Sequence, residues 1–300
     1  MVYTVTLNPS IDYVVWAEKF QTGILNRAQR ELIQIGGKGI NVSVMLGRLG
    51  VATTALGFVA GFTGREIERQ LDAEGVRTDF VHLSEGFSRI NVKLKGECET
   101  ELNGRGPAID EQAVEALCKK LEKLGREDFL VLAGSVTAGV SPRFYADLLE
   151  RFSESGARFV VDAEGELLTR ILKYHPFLIK PNQVELGEIF QKKLLREEEI
   201  QVCAAQLQKQ GARNVLISLG AEGAMLLDET GHFHRVAAPC GTVINSVGAG
   251  DSMVAGFLAS WLVTNDFSAA LRMGAAAGSA TAFSDGLAKK QDVMDLLEKL

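Results

Sequence analysis

Residues 245–252 read Asn-Ser-Val-Gly-Ala-Gly-Asp-Ser, and the apolar run Met253 to Val263 follows them directly. Two glycines let the backbone turn tightly, and the spacing of the apolar residues predicts a buried helix after the turn. The free N–H groups at such a helix N-terminus bind an anion when they face a pocket. Asp251 stands at or next to the cap position, where a carboxylate also serves as an ordinary cap. The segment therefore leaves two interpretations open, a structural cap and an anion-binding loop.

The composition of the chain narrows the class of partner. Its 300 residues carry 32 Lys and Arg against 38 Asp and Glu, a net charge of −6 with both signs interspersed. Nucleic acid and anionic membranes are therefore poor candidate partners, and a small molecule is favoured. No apolar stretch approaches membrane-spanning length and no leader signature precedes the first strand, so we expect a cytoplasmic protein. The four cysteines lack the paired spacing of a metal or redox site and are interpreted as reduced core thiols. They are Cys98, Cys118, Cys203 and Cys240.

The hydrophobic pattern predicts an α/β fold. Short apolar strands such as Phe129 to Ala133 alternate with amphipathic helices, which indicates a parallel sheet covered on both faces. Residues 13–16, 27–35 and 88–102 instead alternate polar and apolar side chains, which predicts a small antiparallel sheet outside the main one. Such a flap could close over a ligand or pair with a second subunit. We expect one large domain with this addition.

Three glycine-rich loops lie between predicted strands and helices, at residues 36–39, 220–223 and 248–250. Ligands of parallel sheets gather beyond the C-terminal ends of the strands, so we expect the loops to converge there. Lys38 lies in the first loop, and Asp12 follows the end of the first strand. Two phosphate-sized cradles with a lysine and a carboxylate between them fit phosphoryl transfer better than hydride transfer. A dinucleotide-dependent oxidoreductase is disfavoured, because no Gly-x-Gly-x-x-Gly follows the first strand.

Several of these residues also have purely structural explanations. Asn182 and Glu185 have capping-box spacing, which alone explains them as the start of a helix. The Asp12 side chain either stabilises an Asx turn or binds hydroxyl groups of a ligand. The small residues between 268 and 283 permit either close helix packing or a flat slot for a planar ring.

The motifs taken together resemble the signatures of PfkB-type (ribokinase family) carbohydrate kinases. The resemblance rests on Gly36-Gly37-Lys38-Gly39-Ile40-Asn41, on Lys180-Pro181-Asn182 with Glu185, and on Val247-Gly248-Ala249-Gly250-Asp251-Ser252. It covers essentially the whole chain, and the last motif is the most specific. Within the family, the segment from Thr4 to Asp12 looks most like the group of bacterial 1-phosphofructokinases and tagatose-6-phosphate kinases.

The resemblance implies a ribokinase-like three-layer α/β/α sandwich with a mostly parallel central sheet and a small β-sheet lid. It implies a single kinase domain over residues 1–300, with lid strands inserted from about 12–36 and 88–104. The implied activity is ATP-dependent phosphorylation of D-fructose 1-phosphate at its 6-hydroxyl, which gives fructose 1,6-bisphosphate and ADP. Two alternatives stay open, a tagatose-6-phosphate kinase that forms tagatose 1,6-bisphosphate and a sugar-phosphate sensor without turnover.

The resemblance also assigns roles to motif positions. Asp251 would be the general base, kept ionised by the helix dipole, beside an anion hole made by the amides of Gly248, Ala249 and Gly250. The substrate would be bound by Asp12, Gly37, Lys38, Asn41, Arg89 and Arg105. The nucleotide would be bound by Lys180, Asn182, Ser218, Gly220, Glu222, Gly223, Ala277 and Ser279.

Cofactors and assembly follow from the same resemblance. Glu185 would help to organise Mg²⁺, which arrives mostly with ATP and keeps several waters. Many members of the family also bind K⁺ near the anion hole, so K⁺ is a second candidate cation. We expect a homodimer joined through the lid sheets, because an isolated small sheet has exposed edges.

Overall fold

The computed structural model describes residues 1–137 and 139–300, which form a central sheet, a separate small sheet and flanking helices. The strands are β1 (Val2–Thr6), β2 (Ser10–Trp16), β3 (Arg30–Gly36), β4 (Thr53–Ala60), β5 (Arg77–Thr78), β6 (Val81–Leu83), β7 (Arg89–Lys95), β8 (Thr100–Asn103), β9 (Phe129–Ala133), β10 (Arg158–Asp162), β11 (Leu178–Ile179), β12 (Asn214–Ser218), β13 (Ala224–Leu227) and β14 (Phe233–Val236). The α-helices are α1 (Lys38–Arg48), α2 (Gly61–Ala73), α3 (Glu111–Leu121), α4 (Phe144–Arg151), α5 (Gly165–Ile171), α6 (Gln183–Ile189), α7 (Glu197–Lys209), α8 (Ala249–Thr264), α9 (Phe267–Ala282) and α10 (Lys290–Leu297).

The central sheet is mostly parallel, which confirms the prediction from alternating strands and helices. Its order is β14-β13-β12-β11-β10-β9-β1-β4-β5, and β6 pairs with β4. Strands β13 and β14 form an antiparallel end to this sheet. The parallel strands share one direction, so their C-terminal ends lie along a single edge.

Side chains that alternate along the strands separate two helical layers. In β9, Leu130 and Leu132 pack into the core shared with helices α3 to α7. Phe129 and Val131 point the other way, into the core shared with α1, α8, α9 and α10. A strand whose two faces are both apolar must be covered on both sides. The three-layer α/β/α sandwich is therefore confirmed.

The small sheet has the order β3-β2-β7-β8. The prediction of a purely antiparallel sheet was wrong, because β2 and β7 pair in parallel while β2–β3 and β7–β8 pair antiparallel. Both β2 and β7 leave the same C-terminal edge of the central sheet, β2 after β1 and β7 after β6. They therefore enter the small sheet in the same direction, and each returns as a hairpin.

Helices α8 and α9 pack closely through small residues. A methyl group added at Gly256 of α8 would lie 2.6 Å from the Met273 carbonyl oxygen and 2.8 Å from Cβ of Ala277, both on α9. Close packing therefore explains the small residues of this stretch. Neither helix is a candidate to cross a bilayer, and no helix in residues 1–137 or 139–300 combines the length and the apolar character that crossing requires.

The cysteines only partly follow the prediction of core thiols. Cys118 and Cys203 are buried, and burial raises the pKa of both thiols. Cys98 and Cys240 are exposed, which corrects the prediction for these two. Both lie in connections, Cys98 between β7 and β8 and Cys240 after β14, where no layer covers them.

Candidate active site

A cleft of about 1730 Å³ opens at the C-terminal edge of the central sheet, between this edge and the small sheet. The three glycine-rich loops meet in its wall, as the sheet topology predicted. Most of the predicted site residues line it together: Asp12, Gly37, Lys38, Asn41, Arg89, Lys180, Asn182, Glu185, Ser218, Gly220, Gly223, Gly248, Ala249, Gly250, Asp251 and Ser279. Residues as far apart in sequence as Asp12 and Ser279, 267 positions, therefore share one concave surface.

The N-terminus of α8 forms one wall of the cleft. Gly248 precedes the helix with a positive φ of 80°, a conformation that glycine adopts without strain. The first backbone N–H to reach a carbonyl four residues back is that of Ser252, which bonds to Gly248. The Ala249 N–H instead donates to the Ser246 carbonyl at 3.2 Å, so this predicted anion donor is engaged in the turn. Gly250 and its neighbours in the first turn carry the amides that a helix leaves without intrahelical partners.

Asp251 lies in this first turn and is only 5% exposed. Its Oδ2 accepts a hydrogen bond of 2.8 Å from Nδ2 of Asn41, on α1. Burial, reinforced by the nearby Asp162 carboxylate, raises the pKa of Asp251 to about 6, against the lowering effects of Asn41, Lys180 and Lys38. With this pKa the carboxyl is still mostly ionised at neutral pH, which is compatible with the expectation that Asp251 is available to accept a proton. A pKa of about 6 still suits a general base that works near neutral pH.

Asp162 is the most important site residue that the sequence interpretation missed. It ends β10 at the cleft edge and is 2% exposed. Its Oδ1 lies 3.4 Å from Nζ of Lys180 and 3.8 Å from Nζ of Lys38. That oxygen has no hydrogen-bond partner among the described residues. A carboxylate at the C-terminal end of a predicted parallel strand was the available signal, the same signal that selected Asp12.

Two carboxylates and two ammonium groups lie together in this part of the cleft, all buried or half-buried. They belong to Asp162, Asp251, Lys38 and Lys180. Lys38 also pairs with Glu164, at 3.3 Å. Burial alone would lower the pKa of Lys38, but the carboxylates of Asp162, Asp251 and Glu164 outweigh burial and raise it. Lys38 is therefore a fixed cation at the mouth of the cleft.

Lys180 extends from the end of β11 to the first turn of α8. A methyl group added at Gly250 would lie 3.1 Å from Nζ of Lys180. Glycine at 250 therefore lets the ammonium group and the helix N-terminus approach each other. The two positive groups together make a stronger anion site than a helix N-terminus alone.

Asn182 and Glu185 form the predicted capping box at the start of α6. Oδ1 of Asn182 accepts from the N–H groups of Val184 and Glu185, and Oε2 of Glu185 accepts from the N–H of Asn182 at 2.8 Å. Burial raises the pKa of Glu185, although the Asn182 N–H and Lys180 oppose this rise. Both side chains line the cleft, so the structural and functional interpretations are compatible.

Asp12 is held by three side chains of the small sheet. Ser10 and Asn91 donate to its Oδ1 at 2.7 and 2.9 Å, and Nζ of Lys93 lies 3.1 Å from its Oδ2. Asn91 pairs directly with Asp12 across β2 and β7. Arg89, Asn91 and Lys93 occupy every second position of β7 and share one face of the strand, and this spacing was the signal that could have identified Asn91 and Lys93.

Arg89 is half-buried at the start of β7. Burial lowers the pKa of its guanidinium, and Asp12 partly offsets this effect. Its Nε has no hydrogen-bond partner within residues 1–137 and 139–300. A guanidinium with an unused donor in a cleft is suited to a phosphate or carboxylate ligand.

Three predicted site residues lie away from the cleft wall. Arg105 has an exposed side chain, and its carbonyl accepts from Asn8 at 2.9 Å. Glu222 is exposed as well, and its carbonyl accepts from Arg235. Ala277 is completely buried against α8, because the cleft-lining face of α9 consists of residues 275, 278, 279 and 282, at helical spacing. The predictions of ligand contacts for these three side chains are corrected accordingly.

Oxygen donors for a metal are present but sparse. Among the described residues, no group of three or more His, Cys, Asp and Glu side chains could hold a metal ion. Asp162, whose Oδ1 accepts no hydrogen bond from the described residues, and Glu185 nevertheless line the same cleft. One or two carboxylates plus the phosphates of a nucleotide are a usual ligand set for Mg²⁺. The residues therefore fit a metal that arrives with a nucleotide.

Comparisons with known proteins agree with this geometry. The profile described as "pfkB family carbohydrate kinase" matches residues 5–293. The chain is 44% identical to a 1-phosphofructokinase of Bacillus subtilis, over 100% of this chain and 98% of the relative. It is 42% identical to a D-tagatose-1-phosphate kinase of Bacillus licheniformis, over 96% of this chain and 94% of the relative. The structure of phosphofructokinase-2 from Escherichia coli with substrates and products superposes with a TM-score of 0.93 at 28% identity, over 100% of this chain and 99% of that one.

Proposed function

The chain belongs to the pfkB family of carbohydrate kinases, and we propose that it transfers the γ-phosphoryl group of ATP to the 6-hydroxyl of fructose 1-phosphate. The products would be fructose 1,6-bisphosphate and ADP. The observation that carries this proposal is the position of Asp251. Its carboxyl is buried in the first turn of α8, beside the free amides of that helix and near the ammonium groups of Lys38 and Lys180. A base beside an anion site is what transfer to an alcohol requires.

Proton removal from the acceptor hydroxyl is assigned to Asp251. Its Oδ2 already accepts from Asn41, so Oδ1 is the oxygen we assign to the incoming proton. The hydrogen bond from Asn41 fixes the orientation of the carboxylate, which limits the motion needed before transfer. Burial keeps water from competing for the transferred group.

Stabilisation of the migrating phosphoryl group is assigned to the amides around Gly250 and to Lys180. Negative charge on the equatorial oxygens would lie against the N-terminus of α8, where the helix dipole and the ammonium group act together. The Gly248 and Ala249 positions shape this turn, and the free donors lie after them. Preorganised donors of this kind need no rearrangement during the reaction.

The divalent metal that the kinase family implies is proposed to be Mg²⁺, held by Asp162 and Glu185 together with the nucleotide phosphates. When bound, it neutralises charge on the β- and γ-phosphates. The nucleotide itself would lie along Asn182, Ser218, Gly220, Gly223 and Ser279. K⁺ is a further candidate, because phosphofructokinase-2 from Escherichia coli was also solved in complex with potassium.

The sugar phosphate is assigned to the side of the cleft that the small sheet covers. The fixed carboxylate of Asp12 would accept hydrogen bonds from sugar hydroxyls, and Gly37 and Asn41 would contact the sugar. Lys38 and Arg89 would bind the existing phosphate. In this proposal residues 1–300 are one kinase domain, with the small sheet inserted as a lid.

A second candidate substrate is tagatose 1-phosphate, which differs from fructose 1-phosphate in the configuration at C4. The 42% identity to a D-tagatose-1-phosphate kinase favours this candidate over the tagatose 6-phosphate suggested by the sequence motifs. The test is a panel of ketose phosphates assayed for ADP release: fructose 1-phosphate, tagatose 1-phosphate, tagatose 6-phosphate and fructose 6-phosphate. We expect the highest kcat/KM for fructose 1-phosphate. Release of ADP with none of them would leave the sensor alternative and contradict the proposal.

A homodimer joined through the small sheets is part of the proposal. Strand β8 is exposed along its whole length, and Ile33 and Leu102 of the small sheet are 54% and 72% exposed. An edge strand and apolar side chains in one sheet favour pairing with a second copy. We expect a dimeric mass in solution at micromolar protein, and Leu102→Lys should shift it to the monomer.

A cytoplasmic location, where ATP is supplied, is also part of the proposal and is tested by cell fractionation.

A further inference from the structure

A second cavity, of about 710 Å³ and open to solvent, lies at the opposite end of the central sheet from the cleft, and the basic residues Arg126, Lys173, His175 and Arg213 in its walls are exposed. Its walls form where the chain enters four neighbouring parallel strands, β9, β10, β11 and β12. Each entry contributes one basic side chain: Arg126 before β9, Arg158 at the start of β10, His175 before β11 and Arg213 before β12. We call this space the basal cavity.

The basal cavity concentrates positive charge in an otherwise acidic protein. Its walls carry Arg126, Arg158, Lys173 and Arg213 against a single carboxylate, Glu127, whereas the whole chain has a net charge of −6. Arg213 pairs with Glu229. Arg126, Arg158 and Lys173 form no ion pair with any of residues 1–137 and 139–300. Like charges that share a crevice and outnumber its counter-charges raise the local potential and attract anions.

Aromatic rings hold the most deeply placed of these cations. The guanidinium carbon of Arg158 lies 5.2 Å from the ring centre of Phe129 and 5.0 Å from that of Trp261. Stacking on ring faces orients a guanidinium while leaving its N–H groups available. Arg213 lies similarly over Phe177, at 5.5 Å. An oriented guanidinium with unused donors is suited to bidentate contact with a phosphate group.

We propose that the basal cavity binds a small anion that carries two or more phosphate groups. The cavity is within the size range of small-molecule sites and much larger than one phosphate ion needs. Three unpaired cations match the charge of a diphosphate better than that of a monovalent anion. Glu127 opposes such a ligand and sets its affinity below what the cations alone would give. This site is separate from the phosphoryl-transfer cleft and does not depend on the proposed function.

Inorganic pyrophosphate is the probe for the test, and Trp261 is the reporter. The chain has two tryptophans, so Trp16→Phe leaves Trp261 as the source of tryptophan fluorescence. Arg158 lies over the Trp261 ring, and an anion bound to it should change the emission in a saturable way. Arg126→Gln with Lys173→Gln should weaken pyrophosphate binding by about tenfold or more, because two charge-assisted contacts are lost. Glu127→Gln should tighten it severalfold, and Lys193→Gln, an exposed lysine elsewhere, should leave it unchanged.

Two kinds of result would overturn the proposal. One is a fluorescence change that does not saturate and that KCl reproduces at equal ionic strength. The other is saturable binding that neither the double variant nor Glu127→Gln alters, which would locate the anion in the cleft. The tighter binding expected for Glu127→Gln keeps the test decisive if the double variant folds poorly. Titrations with ADP and with fructose 1,6-bisphosphate, compared between the parent and the double variant, distinguish a nucleotide from a sugar bisphosphate as the source of the phosphates.

Discussion

Gly250→Ala should abolish most turnover without harming the fold. The added methyl carbon would lie 3.1 Å from Nζ and 3.4 Å from Cε of Lys180, so the ammonium group must shift by a few tenths of an ångström. This shift would move the ammonium group relative to the amides at the start of α8. Removing one preorganised donor of this kind costs about 100- to 1000-fold in kcat. We expect kcat to fall by about 100-fold, at the low end of this range, because the ammonium group is displaced rather than removed.

Stability should move in the opposite direction. Gly250 is helical, so alanine is compatible with the backbone and is favoured over glycine by up to about 1 kcal/mol in a helix. The matched control is Gly47→Ala in α1, where the nearest atoms would be 3.6 Å and 3.8 Å from the new methyl group. This control should gain a similar stability and keep its kcat.

The assay couples ADP release to a spectroscopic signal for kcat and KM, and thermal unfolding gives Tm. Gly250→Ala with kcat within about threefold of the parent would refute the anion-site assignment, since the expected loss is far larger. A lower Tm that accounts for the loss of activity would refute the reasoning as well. The Gly47→Ala control separates a general effect of alanine in helices from the effect at the cleft.

Three further perturbations probe neighbouring parts of the site. First, kcat/KM should fall as the pH drops through about 6, because Asp251 must be ionised to accept a proton, and a pH–rate profile checks this. Second, Asp162→Asn should move the fall in kcat/KM to lower pH, because Asp162 raises the pKa of Asp251. The same variant should need a higher Mg²⁺ concentration for half-maximal activity. An unchanged pH–rate profile would contradict the coupling between Asp162 and Asp251. Third, Lys93→Met should raise KM for the sugar phosphate by about tenfold with little change in kcat, because Asp12 loses the partner at 3.1 Å, while Lys119→Met serves as the control. An equal fall in kcat would assign Lys93 another role.

The raised pKa of Asp251 also has a consequence for stability. Between the ordinary value of 3.8 and about 6, the folded state holds a proton that the unfolded state has lost. Stability contributed by this group is therefore greatest at low pH and falls as the pH rises through that window. Above it the ionised carboxylate is a cost to the fold, which is the pattern expected if Asp251 has the proposed catalytic role.

The sequence predicted the layers of the fold and the convergence of the glycine loops because these depend on periodicity and on turn chemistry. Apolar strands that alternate with helices permit few arrangements, and parallel strands end at one edge. The parallel pairing of β2 with β7 was not predicted, because it depends on where each hairpin leaves the central sheet. That direction is a property of the assembled sheet and leaves no local trace in either strand.

The site was predicted less completely than the fold. Asp162 was missed because a carboxylate at a strand end is unremarkable until Lys38 and Lys180 are known to converge on it. Ala277 was assigned to the wrong face of α9, since a run of small residues gives no amphipathic pattern from which to choose a face. The pKa of Asp251 could not be anticipated, because it is the balance of burial and four neighbours that are distant in sequence.

The central claim is that the Asp251 carboxylate removes the proton from the acceptor hydroxyl. The most direct measurement compares kcat of Asp251→Asn with that of the parent on fructose 1-phosphate, with ADP affinity measured in parallel by calorimetry. Asparagine keeps the size of the side chain and an oxygen for Asn41, and it removes a buried charge, so Tm should not fall. The account predicts a loss in kcat of about 100- to 10,000-fold with ADP affinity nearly unchanged. A variant that retains kcat within about tenfold of the parent would contradict the claim.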